Sequence, residues 1–198
     1  MSNIILKEHY LNKDTFMGAW YIPDFISDDL IHFYKNNKKL AVPGHSYYKG
    51  NKGVNEKVKQ SLDIPVSKKT NEYPFFAYRI YLQECLRKFV EKFKVIDSLD
   101  HFNINEDYNI QYYPPGGGFK TWHSERISPS VSNRLLVFMT YLNDVEDGGT
   151  DFLHQKLTTP AKKGLTLIWP AEWTHTHRGQ VSKTKEKYIV TGWYSYNE

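Results

Sequence analysis

The chain contains a single cysteine, Cys85, among 198 residues, so no disulfide can form within it. A lone thiol of this kind agrees with a reducing compartment. No apolar run approaches the roughly 20 residues that a membrane-spanning helix needs. The N-terminal stretch Met1 to Asp14 is mixed and polar, without the apolar centre of a signal peptide. We therefore expect a cytoplasmic protein with no membrane partner. There is no internal repeat and no low-complexity tract. Charge of one sign is also scarce: 26 Lys and Arg stand against 22 Asp and Glu, leaving a net charge of +4. The lysines 39, 49, 52, 57, 59, 68 and 69 crowd one region, which reads first as a solvated surface. With no nucleic-acid motif beside them, no nucleic-acid partner is expected.

Aromatic residues, by contrast, are abundant: 15 Tyr, 11 Phe and 5 Trp make 16% of the chain. Such side chains favour strands and wide, half-polar pockets. The length suits one domain with a substantial core, here taken as residues 1–198. The first part, to about residue 100, reads as helices and loops. Ser27 is the expected N-cap of a first helix, with Asp28 and Asp29 in its first turn; Ile26, Leu30, Phe33 and Tyr34 mark its apolar face. Gly44, Gly50 and Gly53 break the following segment, and residues 42–70 are expected to form a lid or substrate loop. From Tyr73 to Val95, Tyr78, Tyr81, Leu82, Cys85, Leu86, Phe89, Val90 and Phe93 recur near every 3.6 residues, the stripe of a long amphipathic helix. Cys85 falls in that stripe and is read as core.

After Asp97 the pattern changes to short strands. We expect strands at Tyr108–Tyr113, Leu135–Leu142, Thr150–Leu157, Leu165–Trp169 and Lys187–Tyr196, with Pro114 to Gly118 and Asn143 to Gly149 as turns. Helices first and an antiparallel β unit second describe a mainly β, α+β chain.

The chemistry is concentrated in Trp122-His123-Ser124-Glu125 and in His175-Thr176-His177. In an extended segment His123 and Glu125 share a face, so both reach one metal ion. A second histidine about fifty residues later completes two imidazoles and one carboxylate, a set that leaves coordination positions open and suits non-haem Fe(II). His175 and His177 share a face in the same way, and the residues alone leave both open as the distal ligand. Trp122 is placed to shield the site, and His154 reads as structural.

These motifs resemble the Fe(II)- and 2-oxoglutarate-dependent dioxygenases, in particular the prolyl 4-hydroxylase-like branch. The resemblance covers Tyr108 to Tyr196, and more loosely Trp20 to Ser27, where such domains begin. It rests on His123, on Arg134 with Tyr141-Leu142-Asn143, on Gly148-Gly149-Thr150-Asp151-Phe152, and on Lys187 ten residues after His177. It departs at Glu125, where the family usually has Asp.

The resemblance implies a double-stranded β-helix (a cupin-like jelly roll) over residues 101–198, with the N-terminal helices packed on it. It implies Fe(II) held by His123, Glu125 and His177 as the catalytic set. It also implies 2-oxoglutarate and O2 as co-substrates, with Lys187 pairing the distal carboxylate and Tyr113, Tyr141, Thr150, Thr191 and Trp193 completing the pocket. Ascorbate is admitted as an accessory reductant. The expected activity is hydroxylation of a C–H bond, most of all in a prolyl residue of a peptide or protein, with release of succinate and CO2. Alternatives are the same chemistry on a free amino acid or an alkylated nucleobase, a non-catalytic iron or 2-oxoglutarate-binding module, and a zinc hydrolase.

Overall fold

The structure, a computed structural model, describes residues 4–48 and 51–197. Of the clustered lysines, Lys49 and the side chain of Lys52 lie outside the described residues. The principal elements are β1 (Gly18–Tyr21), α1 (Asp24–Asn36), β2 (Leu62–Val66), α2 (Phe75–Lys92), β3 (Tyr108–Tyr113), β4 (Arg134–Tyr141), β5 (Val145–Phe152), β6 (Leu157–Ala161), β7 (Leu165–Pro170), β8 (His177–Gly179) and β9 (Lys187–Tyr196). The larger sheet runs β1-β7-β4-β9-β3-β2, extended at its ends by Lys7–Glu8 and Val42–Pro43. The smaller sheet is β6-β5-β8. All pairings are antiparallel. Two sheets enclosing one interior, with both helices outside, make the expected double-stranded β-helix.

The apolar runs that identify β4 and β7 follow from burial on both faces. Leu136 and Phe138 of β4, Ile168 of β7, and Tyr188, Val190 and Tyr194 of β9 meet the helices. The alternate residues Val137, Met139, Tyr141, Leu165, Leu167, Trp169 and Ile189 fill the interior between the sheets. The helices supply Ile26, Leu30 and Tyr34 from α1 and Phe75, Tyr78, Leu82, Cys85, Leu86 and Phe89 from α2. Cys85 is fully buried there.

Three local expectations change. Helix α1 begins at Asp24, three residues earlier than Ser27, with Pro23 at the N-cap position and the Asp24 carboxylate in the first turn. Ser27 lies inside the helix, fully buried, with a hydroxyl that meets no partner among the described residues. The turn expected over 143–149 is largely strand: β5 already runs from Val145, with a register irregularity between Val145 and Thr150. Its glycines serve close approach instead of reversal, since a Cβ on Gly149 would stand 2.1 Å from the Thr159 carbonyl oxygen. The chain reverses instead at residues 153–156, so the strand expected to Leu157 is two strands, β5 and β6. Finally, the N-terminal segment is not only helix and loop. Strands β1 and β2 belong to the larger sheet, and Ser46–Tyr48 pairs with Asn51–Gly53 as a hairpin. Among the described residues no helix is long and apolar enough to cross a membrane.

Candidate active site

His123 and His177 meet through the backbone first. The His123 N–H donates to the His177 carbonyl at 2.9 Å, and the His177 N–H returns the bond at 2.8 Å. This antiparallel bridge makes the two residues direct cross-strand neighbours, and their rings lie 4.3 Å apart between centroids. The Glu125 N–H donates to the Ala171 carbonyl, which holds its chain beside the bridge. Glu125 Oε1 then stands 3.5 Å from His123 Nε2 and 3.6 Å from His177 Nε2.

The tautomers follow from the other ring nitrogens. His123 Nδ1 is 2.9 Å from the Thr121 carbonyl, and His177 Nδ1 is 2.9 Å from the His175 carbonyl. A carbonyl only accepts, so each Nδ1 carries the proton and each neutral ring presents a lone pair at Nε2. Two lone pairs and a carboxylate therefore converge within 4.8 Å. Such a trio repels itself unless a cation lies among it, which is the arrangement a divalent metal requires. Burial lowers the pKa of His123, and neighbouring His177 lowers it further. Burial by itself would raise the Glu125 carboxyl, but whenever the two facing imidazoles are protonated they donate to it and hold it well below its usual range.

The carboxylate is held from behind. Trp193 Nε1 donates to Glu125 Oε2 at 3.1 Å. The Arg134 guanidinium stacks 3.5 Å from the Trp193 ring, donates to the Glu125 backbone carbonyl at 3.1 Å, and forks onto Glu106 at 2.8 and 2.6 Å. On the other side Phe119 stacks on the His123 ring, with centroids 3.5 Å apart. Phe119 thus takes the shielding place expected of Trp122, which is instead exposed, with the Arg178 guanidinium over its ring. Phe119 carries no sequence signal beyond its position after the glycine turn. Replacing Trp193 by Phe keeps the stack and removes the indole N–H. Iron affinity should fall about 10- to 100-fold, measured by anaerobic equilibrium dialysis, with the melting temperature nearly unchanged.

A cavity of about 490 Å³ opens beside this trio. It is lined by all nine residues singled out in the sequence: His123, Glu125, His177, Tyr113, Tyr141, Thr150, Lys187, Thr191 and Trp193. Lys187 is buried, and its ammonium donates to the carbonyls of Gly148 at 2.8 Å and Gln180 at 2.9 Å. Burial pulls its pKa down to about 8, Asp147 acting the other way. Tyr141 shares its hydroxyl with Thr150 at 2.6 Å and Thr159 at 3.2 Å. Tyr113 donates to Gln111 at 2.6 Å, and Thr191 to the Phe138 carbonyl at 3.2 Å. Trp193 belongs to the carboxylate clamp, not to the Lys187 end.

The remaining candidates separate cleanly. Trp173–His175 is a 3-10 turn, so His175 and His177 do not share a face. His175 is buried away from the cavity, its Nε2 2.9 Å from the Thr15 carbonyl; its own carbonyl orients His177. Lys183 and Lys185 are exposed in the approach to β9. His154 sits in the exposed turn after β5, edge-on to Trp173. The basic region is not uniformly solvated: Lys59 is buried and lines the cavity.

Residues 108–195 match the sequence model of the family described as the 2OG-Fe(II) oxygenase superfamily. No curated protein matches by sequence. Among solved structures, a Pseudomonas putida prolyl-4-hydroxylase superposes with a TM-score of 0.70 at 13% identity, covering 94% of this chain and 95% of that one. A viral collagen prolyl hydroxylase from Paramecium Bursaria Chlorella virus-1 gives 0.65 at 19% identity, over 93% and 98% of the two chains. A prolyl hydroxylase from Trichoplax adhaerens, in complex with a hypoxia inducible factor peptide fragment, gives 0.68 at 14% identity, over 92% and 84%. At these identities the likeness is one of fold.

Proposed function

From the match of residues 108–195 to the family model of the 2OG-Fe(II) oxygenase superfamily we propose that the protein is an oxygenase of this kind, hydroxylating a C–H bond of a prolyl residue in a peptide or protein. The observation that carries the reading is the single cavity with a His-Glu-His trio on one wall and a buried ammonium on another.

The trio suits ferrous iron. It offers two neutral imidazoles and one carboxylate, and it leaves further positions open toward the cavity. With 2-oxoglutarate and O2, the bound metal would supply oxidative decarboxylation to succinate and CO2 coupled to C–H hydroxylation. The chain's own part is positioning. The Thr121 and His175 carbonyls fix the two rings, and Trp193 with Arg134 fixes the carboxylate. Lys187 meets the distal carboxylate of 2-oxoglutarate, a charge that is costly to bury unless paired. Tyr141 and Thr150 add hydroxyls nearby. Met139, Trp169 and Ile189 provide apolar wall that keeps water from the site. Ascorbate enters only as a reductant to be included in assays.

The test is an anaerobic titration with ferrous iron and 2-oxoglutarate, read by the weak charge-transfer absorption of such complexes. Succinate release is then measured with prolyl peptides beside amino-acid and nucleobase panels. Absence of the absorption, or succinate driven only by a non-peptide panel, overturns the proposal. Glu125 provides a sharper variant. Glu125→Asp retains a carboxylate one methylene shorter, and iron binding should stay within about tenfold of wild type, whereas Glu125→Ala should lose more than that. Equal binding by the alanine variant would remove Glu125 from the ligand set.

A further inference from the structure

Lys59 and Asp63 form a buried ion pair in the cavity wall that none of the roles above employs. They are 5% and 6% exposed, with Nζ and Oδ2 2.7 Å apart. Lys59 lies in Lys59–Gln60, which pairs with Gly118–Phe119 so that Lys59 and Phe119 are register partners. Phe119 is the ring stacked on His123, and Lys59 Nζ stands 5.8 Å from its centroid. The pair is therefore next to the metal end of the cavity, beside the His123 ring.

The two partners are unequally satisfied. Asp63 accepts from Lys59, from Ser61 Oγ at 2.8 Å and from Gln111 Nε2 at 3.3 Å. The Lys59 ammonium has three donors, and its one hydrogen bond among the described residues is to Asp63. A buried cation with unused donors is costly, and the cavity is the space from which they can be met.

The charge of the acceptor follows. Asp63 already neutralises Lys59, so a carboxylate there would set two anions on one cation. A neutral carbonyl uses the spare donors with no such conflict. A prolyl amide is suited to this wall, because its carbonyl accepts and its nitrogen has no N–H seeking a partner. We propose that Lys59, oriented by Asp63, donates to the main-chain carbonyl of the peptide bond at the target proline and so selects a peptide substrate. This deepens the functional reading above and rests on it.

The experiment uses the full chain loaded anaerobically with Fe(II) and 2-oxoglutarate, so that binding is read without turnover. Fluorescent decapeptides of oligoproline and of Gly-Pro, Ala-Pro and Ser-Pro repeats are titrated by anisotropy. Lys59→Met should weaken the best peptide about 10- to 100-fold, the loss expected for a charged hydrogen bond, while the Fe(II)–2-oxoglutarate absorption stays unchanged. Lys59→Arg should recover part of the affinity. Because Lys59→Met leaves Asp63 buried without its partner, the double variant Lys59→Met/Asp63→Asn supplies a neutral pair with the same expected loss. Peptide affinity within twofold of wild type in the double variant overturns the inference, as does failure of every peptide to bind the loaded wild type. Loss of the absorption in the wild type itself overturns the functional reading, and the inference with it.

Discussion

Replacing His177 by alanine should lower the affinity for ferrous iron by at least about a hundredfold, beyond what the loss of a supporting hydrogen bond causes, and turnover should vanish with it. The substitution leaves the backbone bridge to His123 in place, because that bridge uses only main-chain atoms. The β framework should therefore survive. What disappears is one of the two lone pairs that share a cation with Glu125, and the carboxylate then faces a single imidazole. His123→Ala should behave in the same way. His175→Ala is the control. Its ring bonds the Thr15 carbonyl, away from the cavity, so it should lower the melting temperature while leaving measurable activity. Anaerobic dialysis against Fe(II), with metal analysis, separates these outcomes. Wild-type iron binding by His177→Ala, with loss in His175→Ala, would move the distal ligand to His175.

The second large effect is expected at Lys187. Lys187→Met should raise the 2-oxoglutarate concentration needed for half-saturation roughly 100- to 1,000-fold, the range expected when a buried anion loses its partner, with iron affinity unchanged. Methionine fills similar space without a charge, but it also strands the Gly148 and Gln180 carbonyls that Nζ now satisfies. A pH series supplies an independent check. The ammonium titrates near 8 in the free cavity, and only its charged form attracts the distal carboxylate. Affinity for 2-oxoglutarate should be flat below pH 8 and fall up to tenfold per pH unit above it, with proton uptake on binding in that upper range. A pH-independent affinity in the wild type, or a Lys187→Met variant that saturates normally, would remove Lys187 from the co-substrate site.

The sequence is most legible where one physical demand dominates. Residues 165–169 and 135–142 are apolar except for Thr166 and Thr140, whose hydroxyls bond each other, because both faces of β7 and β4 are covered, and α2 shows its stripe because only one face is. Strand β2 gives no such signal. Asp63 and Pro65 both argue against a strand, yet Asp63 faces a polar cavity and Pro65 sits beside it. The same cavity explains Lys59, which composition alone assigns to solvent. Gly148 and Gly149 look like a turn because the residue type is shared by turns and by close backbone approaches. For the site, spacing in the chain picks out His123 and Glu125 as neighbours, and family likeness chooses His177 over His175. The direct backbone pairing of His123 with His177 is tertiary and has no local signature. Phe119 and the Arg134–Trp193 clamp are likewise assembled from separate strands.

Strand β9 carries Lys187, Ile189, Thr191 and Trp193 along one side of the cavity. It is clamped between β4 and β3 in fixed register. One segment thus measures off, at roughly 3.3 Å per residue, the interval between the anion-receiving amine and the indole that steadies the acidic ligand. Deleting or inserting a single residue within 188–192 would rotate one end of this ruler to the opposite surface. A cavity of different reach would therefore have to be built on other lining positions, such as Val42, His45, Ser46, Lys59 and Asp63.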